Sequence, residues 1–201
     1  MQLLIATRNR HKVREIGQIL RLPGVELRDL AAYPDLPEVE EDGSTFEANA
    51  VKKAVTTARA TGCWTLADDS GLEIAALDGR PGVLSARYAG EPPDYAANNR
   101  KVLAEMAGVA ERRARFRCVL ALADPAGRFW TVEGRCEGRI ADAPRGQGGF
   151  GYDPIFVPLG HEQTFAEMAS ELKNRISHRA AALRQAAAAW TERLADAAAA
   201  P

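Results

Sequence analysis

The chain has 201 residues, a hydrophobic content of 46%, a charged content of 26% and a formal net charge of −1, the composition of a soluble globular protein that can bury a core. This charge gives no electrostatic basis for a nucleic-acid partner or an anionic membrane surface. No apolar stretch approaches the roughly 20 residues that span a bilayer, and the N-terminus lacks the pattern of a signal peptide. Three scattered cysteines without a C-x-x-C pair fit a reduced, cytoplasmic protein. We predict one domain over residues 1–201.

Hydrophobic spacing and turn residues divide the chain into alternating strands and helices. In chain order they predict a strand at 2–6, a helix at 12–21, a strand at 25–30, an acidic loop at 33–43, a helix at 44–60, extended chain at 64–68 and 71–77, a loop at 79–92, a helix at 94–107, strands at 114–124 and 128–140, a strand-like run at 154–158, and helices at 164–169 and 177–195. The helix at 44–60 opens with Ser44 and Glu47 at the spacing of a capping box. The turn at 124–127 joins two alternating runs as a hairpin. The pattern predicts an α/β protein with a mixed sheet.

The segment ATRNRHK (6–12) follows the first strand and opens the first helix. Backbone N–H groups and the helix dipole favour a phosphate at such a junction, and Thr7, Asn9 and Lys12 would add donors and a positive charge. The same residues also suit a helix cap followed by a surface lysine. The G-x-x-x-x-G-K-[ST] pattern of a Walker A loop is absent from the sequence.

Acidic residues precede the second predicted helix. Glu40, Glu41 and Asp42 come just before it, and Asn49 and Lys53 lie four residues apart on one of its faces. The acids either complement the helix dipole or hold a metal ion.

The segment LADDSGLEI (66–74) places two carboxylates where a buried strand is expected to end. A carboxylate there, followed by a Ser-Gly turn, points into the crevice where open α/β sheets bind ligands. Neighbouring residues of a strand face opposite sides, so at most one of Asp68 and Asp69 is expected to face a ligand. A hard cation such as Mg²⁺ takes one or two carboxylates together with phosphate oxygens.

The segment GQGGFGYDPIF (146–156) combines glycines with aromatic residues. Its glycines let the backbone approach a ligand closely, and Phe150 and Tyr152 offer rings for stacking. The structural alternative is a glycine-rich hairpin corner whose aromatic rings belong to the core.

The segment LKNRISHRAAAL (172–183) surrounds a predicted helix start. Lys173, His178 and Arg179 place three donors there, with Ser177 as the cap. A single histidine is more often a structural residue than a ligand, and a histidine-based metal site is not expected.

Taken together, these motifs resemble the inosine triphosphate pyrophosphatase family, which acts on non-canonical purine nucleoside triphosphates. The matching motifs are Thr7-x-Asn9-x-x-Lys12, ADDSGL, SARYAG, GGFGYDPIF and KNRISHR, in the family's order and approximate spacing along the chain. The resemblance implies an elongated mixed β-sheet flanked by helices, two lobes with a central substrate cleft, dependence on Mg²⁺, and a homodimer.

The resemblance also implies a role for each matching residue. Asp69 would bind the metal or activate water, Glu41 would be a second acid on the metal side, Lys53 a cation on the phosphate side, and Ser70 a substrate contact. For Asp68, the other member of the aspartate pair, we predict a supporting role or a second metal ligand. The triphosphate would be held by Thr7, Arg8, Asn9, Arg10, His11 and Lys12, and the base by Phe150, Gly151, Tyr152, Asp153, Lys173, His178 and Arg179.

The expected reaction is attack of water on the α-phosphorus of ITP, dITP or XTP, which yields a nucleoside monophosphate and pyrophosphate and cleanses the nucleotide pool. Asp69 must be ionised for either of its roles, so activity should rise with pH through its pKa. Donors such as His178 and Arg179 match the C6 oxygen of hypoxanthine and xanthine, whereas the amino group of adenine would leave buried donors unpaired. Two alternatives are a pyrophosphatase for pyrimidine or modified nucleotides and a nucleotide-binding module without catalysis.

Overall fold

A computed structural model describes residues 1–199, so the last two residues of the predicted domain lie outside the described part of the chain. Six strands form one sheet in the order β2–β1–β3–β4–β5–β6. Their bounds are β1 Gln2–Ile5, β2 Glu26–Asp29, β3 Trp64–Ile74, β4 Arg113–Ala123, β5 Phe129–Ile140 and β6 Phe156–Pro158. Strand β1 runs parallel to β2 and β3, and β5 runs antiparallel to β6. The predicted α/β fold with a mixed sheet is therefore confirmed.

Five α-helices accompany the sheet within residues 1–199. They are α1 Arg10–Ile19, α2 Phe46–Thr61, α3 Tyr95–Glu105, α4 Ser170–Ile176 and α5 His178–Ala199. The predicted capping box is wrong, because the cap of α2 is Thr45, whose hydroxyl accepts from the Ala48 N–H at 3.1 Å. The predicted helix at 164–169 is also wrong. That segment forms turns, and the helix begins at Ser170.

Strand β3 differs most from its prediction, since it continues through both aspartates and through Ser70 to Ile74 without a turn. Leu72 and Ile74 have no exposed surface, and their burial keeps this part of the chain extended in the core. The Ser85 hydroxyl also accepts from the Leu72 N–H at 2.9 Å. The two carboxylates therefore lie inside a long buried strand rather than at its end.

The chain divides into two compact units, each with its own core. Of the described residues, the first comprises 1–69, 118–134 and 179–199, and the second comprises 70–117 and 135–178. In the first unit, apolar residues of β1, β3 and β4 pack with α1 and α5, represented by Leu3, Leu66, Leu120, Ile16 and Leu183. In the second, Leu72, Val102, Phe116, Phe156 and Phe165 belong to one cluster. No helix within residues 1–199 is both long and apolar enough to cross a membrane.

Candidate active site

A lysine–carboxylate cluster, consisting of Lys12, Glu41, Lys53, Asp68 and Asp69, lies in the first unit. Strand β3 supplies its two aspartates just beyond Leu66, the residue paired with the last residue of β1. The chain leaving β1 enters α1, which carries Lys12, and α2 supplies Lys53. The end of β1, the middle of β3 and helices α1 and α2 thus bring opposite charges together.

Asp68 is the buried anion of this cluster, with 1% of its surface exposed. Its Oδ1 lies 3.1 Å from Nζ of Lys12, and its Oδ2 accepts from Nη2 of Arg179 at 3.0 Å and from Nε at 3.3 Å. Burial alone would raise the pKa of this carboxyl, but Lys12, Arg179 and Lys53 outweigh burial and hold the pKa well below its usual range. Both carboxylate oxygens therefore face cations, which favours the supporting role for Asp68 over metal ligation.

Lys53 links the acidic loop to strand β3. Its Nζ donates to Oε1 of Glu41 and to the backbone oxygen of Asp68, each at 2.5 Å. Burial acts to lower the pKa of this lysine, but the negative charges of Glu41, Asp68 and Asp69 raise it above the ordinary value. Lys53 is therefore a charged ammonium group in a nearly buried position.

Asp69 is buried beside α2, with 4% of its surface exposed. Its Oδ2 accepts from Nδ2 of Asn49 at 3.0 Å. Burial raises the pKa of Asp69 to about 6, against the opposing charge of Lys53, and Glu41 adds a further upward contribution. A pKa of about 6 leaves this carboxyl mostly ionised at neutral pH and able to exchange a proton near it.

Asn49 also positions the acidic loop. Its Oδ1 accepts from the Gly43 N–H at 2.7 Å, so a single amide contacts both the loop and Asp69. A Cβ at position 43 would stand 2.6 Å from this Oδ1, which explains the glycine there. The sequence indicates Asn49 because it shares a helix face with Lys53.

The predicted phosphate segment forms the N-terminus of α1. Oδ1 of Asn9 accepts from the N–H groups of His11 at 3.0 Å and Lys12 at 3.4 Å, and its own N–H donates to Oγ1 of Thr7 at 3.2 Å. The helix-cap interpretation is therefore correct for Asn9. The surface-lysine interpretation is wrong for Lys12, because its ammonium pairs with the buried Asp68.

The arginines of this segment differ in their contacts. Nη2 of Arg8 donates to the backbone oxygen of Leu36 at 2.7 Å and so joins the segment to the acidic loop. Arg10 and His11 have exposed side chains. One surface pocket borders Thr7, Arg8, Glu41 and Lys53, so four of the predicted residues share one opening.

Arg179 is almost completely buried in the first unit, with 1% of its surface exposed. Besides the two bonds to Asp68, its Nη1 donates to Oε2 of Glu15 at 2.5 Å. Glu15 was not predicted; the available signal was its position on α1 one turn after Lys12, on the same face. The arrangement gives Arg179 an ion-pairing role within this unit, and its predicted contact with a base stays a prediction.

The glycine-rich segment of the second unit is held by a buried ion pair. Oδ2 of Asp153 accepts from Nζ of Lys173 at 2.6 Å and from the Phe150 N–H at 2.8 Å. Nζ of Lys173 also stands 5.0 Å from the centre of the Phe150 ring. Gly149 has φ +69°, and a Cβ there would overlap Oδ2 of Asp153. Glycine, carboxylate and lysine together fix the position of Phe150.

Other predicted residues of the second unit also lie close to buried groups. The His178 ring stacks on Phe116, with 4.5 Å between ring centres and 11° between the planes. The Tyr152 hydroxyl donates to the backbone oxygen of Ser85 at 2.8 Å. Ser70 is half-buried in β3. Phe116 was missed because its contact with His178 joins residues far apart in the sequence.

The sequence motifs predict two carboxylates, Glu41 and Asp69, as donors for a metal ion. Within residues 1–199 no three His, Cys, Asp or Glu side chains form a group able to hold a metal by themselves. Mg²⁺ usually binds through one or two carboxylates together with water and substrate phosphate oxygens. The repulsion between Glu41 and Asp69, which adds to the raised pKa of Asp69, would be relieved by a cation. The donor set therefore fits a metal that shares its ligands with a phosphorylated substrate.

A charged cluster beside the end of β1 in a mixed sheet is the usual position of the ligand site in an α/β protein. The model of the Ham1 family matches residues 3–189. The chain is 53% identical over 188 residues to a dITP/XTP pyrophosphatase of Desulforamulus reducens, covering 92% of this chain and 94% of that protein. It is also 50% identical to the dITP/XTP pyrophosphatase of Bacillus subtilis, covering 92% of this chain and 94% of that protein.

Solved structures agree with this similarity. The Staphylococcus aureus Ham1 protein superimposes with a TM-score of 0.87 at 39% identity, covering 96% of this chain and 100% of that one. A HAM1 protein from Coxiella burnetii superimposes with a TM-score of 0.88 at 42% identity, covering 96% of this chain and 99% of that one. The chain belongs to the Ham1 family, and the family resemblance drawn from the sequence motifs is confirmed.

Proposed function

We propose that the chain hydrolyses dITP, XTP and ITP to the nucleoside monophosphate and pyrophosphate, and so removes non-canonical purines from the nucleotide pool. The observation that carries this function is the identity of about half of all residues, over more than nine-tenths of both chains, with proteins named dITP/XTP pyrophosphatase. The lysine–carboxylate cluster supplies the chemistry that such a reaction needs.

The phosphate end of the substrate is assigned to the first unit. Lys12 and Lys53 supply positive charge, and the N-terminus of α1, from Thr7 to Lys12, supplies backbone donors and the positive end of the helix dipole. Support comes from the pocket that Thr7, Arg8, Glu41 and Lys53 share. Asp68 keeps the Lys12 ammonium at a defined place through their 3.1 Å contact.

Glu41 and Asp69 are the residues proposed to hold Mg²⁺. When bound, the ion would offset charge on the phosphates and polarise them for attack. Water attacks the α-phosphorus, its oxygen forms the new P–O bond, and the bond to the bridging oxygen of the pyrophosphate group breaks. Asp69 accepts the proton from the attacking water, and Lys12 and Lys53 offset the charge that develops on pyrophosphate.

The base is assigned to Phe150, Gly151, Tyr152, Asp153, Lys173, His178 and Arg179. The Phe150 ring offers a stacking surface, and Lys173 and His178 provide donors for a C6 oxygen. Ser70 follows Asp69 directly and is assigned a substrate contact. A homodimer and a cytoplasmic location complete the proposal; the homodimer rests on the family resemblance, and the location rests on the three scattered cysteines without a C-x-x-C pair.

The first experiment measures pyrophosphate release from ITP, dITP, XTP, ATP, dTTP and UTP, with Mg²⁺ and with EDTA. We expect hydrolysis of the first three in Mg²⁺ and little of the others. Preferential hydrolysis of dTTP or UTP would favour the pyrimidine alternative, and binding without hydrolysis would favour a non-catalytic module.

A single substitution tests the chemical role of Asp69. Asp69→Asn keeps the shape of the side chain but removes the proton acceptor, so we expect kcat for ITP to fall by roughly 10²–10⁴-fold, the usual contribution of general acid–base catalysis. Asp142→Asn is the matched control, because the Asp142 side chain is fully exposed. A near wild-type kcat for Asp69→Asn would contradict the assignment.

A further inference from the structure

Helix α3 carries two consecutive buried asparagines, Asn98 and Asn99, which are 1% and 8% exposed. Burying an amide costs free energy unless its donors and acceptors find partners. Successive side chains of an α-helix point in directions about 100° apart, so the two amides reach different segments of the second unit. Each therefore connects α3 to a separate loop.

Asn98 holds the segment SARYAG. Its Oδ1 accepts from the Ala89 N–H at 2.7 Å, and its Nδ2 donates to the Ala86 oxygen at 2.9 Å. Tyr152 reaches the same segment through its hydroxyl, which donates to the Ser85 oxygen at 2.8 Å. This segment is thereby joined to the glycine-rich loop that carries Phe150.

Asn99 holds the glycine-rich loop directly, because its Nδ2 donates to the Gly151 oxygen at 2.9 Å. Phe150 begins a tight turn in which its oxygen accepts from the Asp153 N–H at 3.3 Å. Gly151 has φ +63° and Tyr152 has φ −90° and ψ 9°, which match three of the four central angles of a type II′ turn with glycine at its first central position. The Gly151 oxygen belongs to the central peptide of this turn, whose rotation converts one turn type into another. Asn99 therefore fixes the peptide that determines the form of the turn.

The other end of the Asn99 amide indicates why an asparagine stands there. Within residues 1–199, Oδ1 of Asn99 is buried without a hydrogen-bond partner, which costs stability. Rotating the amide would place this oxygen against the Gly151 oxygen, where two acceptors would repel. An apolar side chain at position 99 would avoid the cost of the unsatisfied oxygen. The advantage of asparagine over such a side chain is therefore its hydrogen bond to the Gly151 oxygen.

We propose that Asn99 is a positioning residue for recognition of the purine base. By fixing the central peptide of the turn at 150–153, it keeps the Phe150 ring in place for stacking. This inference rests on the proposed function, in which the base binds at the same loop. It does not involve the phosphate end of the substrate, whose assigned residues lie in the first unit.

The test compares Asn99→Ala with Arg100→Ala, which removes an exposed side chain of the same helix. For Asn99→Ala we expect the KM for ITP to rise about five- to tenfold, because the variant loses one buried hydrogen bond. A free-energy loss of about 1.4 kcal/mol corresponds to a tenfold change in affinity. We expect kcat to stay within about twofold and the inhibition constant of pyrophosphate to be unchanged. Arg100→Ala should match the wild type in all three measurements.

Several results would overturn the inference. An unchanged KM for ITP, or a pyrophosphate inhibition constant that rises as much as KM, would show that Asn99 has no specific effect on the base. If Asn99→Ala does not fold, Asn99→Gln, which keeps the amide donor, is measured against the same expectations of a raised KM and unchanged pyrophosphate inhibition. Failure of both variants to fold would make the role purely structural. A wild-type protein inactive on every purine triphosphate would overturn the proposed function and this inference together, whereas an active wild type with an unaffected variant overturns only the inference.

Discussion

Replacing Asp68 by asparagine tests whether this residue is the buried counter-ion of two cations. The substitution preserves the shape of the side chain but removes the negative charge between Lys12 and Arg179, which lie 3.1 and 3.0 Å from its oxygens. One end of the new amide is a donor and must face a cation. The Asp68 side chain has no exposed surface, so water cannot replace the lost charge.

The magnitude follows from burial. Breaking a buried ion pair by removing one partner costs about 3–5 kcal/mol. Arg179 keeps its 2.5 Å contact with Glu15, and the Lys12 side chain is 15% exposed, so we expect the lower end, about 3 kcal/mol. For a chain of this length that corresponds to a fall in Tm of roughly 6–12 °C.

Thermal unfolding followed by circular dichroism measures the effect, with Asp142→Asn as the control. Asp142 forms an ion pair with Arg112 at 3.3 Å, but its side chain is fully exposed, so its loss should cost at most about 1 kcal/mol. If the Tm of Asp68→Asn lay within about 2 °C of the wild-type Tm, a change no larger than that of the control, the counter-ion role would be refuted. A stabilisation of the wild type by Mg²⁺ alone that disappears in Asp68→Asn would favour metal ligation instead.

Three further predictions concern the glycine-rich loop, acid stability and the metal. Gly149→Ala should raise the KM for ITP and lower Tm, because the new Cβ would overlap the Asp153 carboxylate. The control is Gly17→Ala, where a Cβ meets nothing within 4 Å; this variant should be neutral or stabilising by up to about 1 kcal/mol. Burial acts to raise the pKa of Asp124, but hydrogen bonds from Arg128 and the backbone outweigh it and lower the pKa. The stabilisation from Asp124 is therefore complete above the unfolded-state pKa, about 4, and is lost as pH falls through the folded-state pKa. Urea unfolding measures it: the difference in unfolding free energy between wild type and Asp124→Asn should shrink below about pH 4. Removing divalent ions with EDTA should abolish pyrophosphate release from ITP, and full activity in EDTA would exclude the proposed role for the metal.

Local patterns in the sequence predicted most of the sheet but not the continuity of β3. The apolar run at β1 and the two alternating runs around the turn at 124–127 are short-range signals, and both appear in the structure as strands. The pair of aspartates looked like a strand end because isolated carboxylates are rarely buried. Three cations around Asp68 make its burial tolerable, and two of them lie far away in the chain.

The candidate site was predictable where its residues are close in sequence and hidden where they are not. Asn49 and Lys53, one helix turn apart, were identified together from their spacing. The hydrogen bond between Arg179 and Asp68 joins residues 111 positions apart, and no local sequence pattern predicts it. Arg179 was therefore assigned from its motif to a base, although its guanidinium contacts two carboxylates of the first unit.

The lysine–carboxylate cluster, together with its ion-pair partners Arg179 and Glu15, carries charges that explain why a phosphorylated substrate would need a metal ion. Three cationic side chains stand against four carboxylates, which leaves one net negative charge when all are ionised: Lys12, Lys53 and Arg179 against Glu15, Glu41, Asp68 and Asp69. A nucleoside triphosphate would add about four more negative charges, and in a largely desolvated site such repulsion is screened only weakly. Partial protonation of Asp69, whose pKa is raised to about 6, removes at most one charge. A divalent cation entering with the nucleotide would offset two charges, and the carboxylates proposed to hold it are those that would otherwise repel the phosphates. The same acids that oppose the free nucleotide would therefore favour its metal complex.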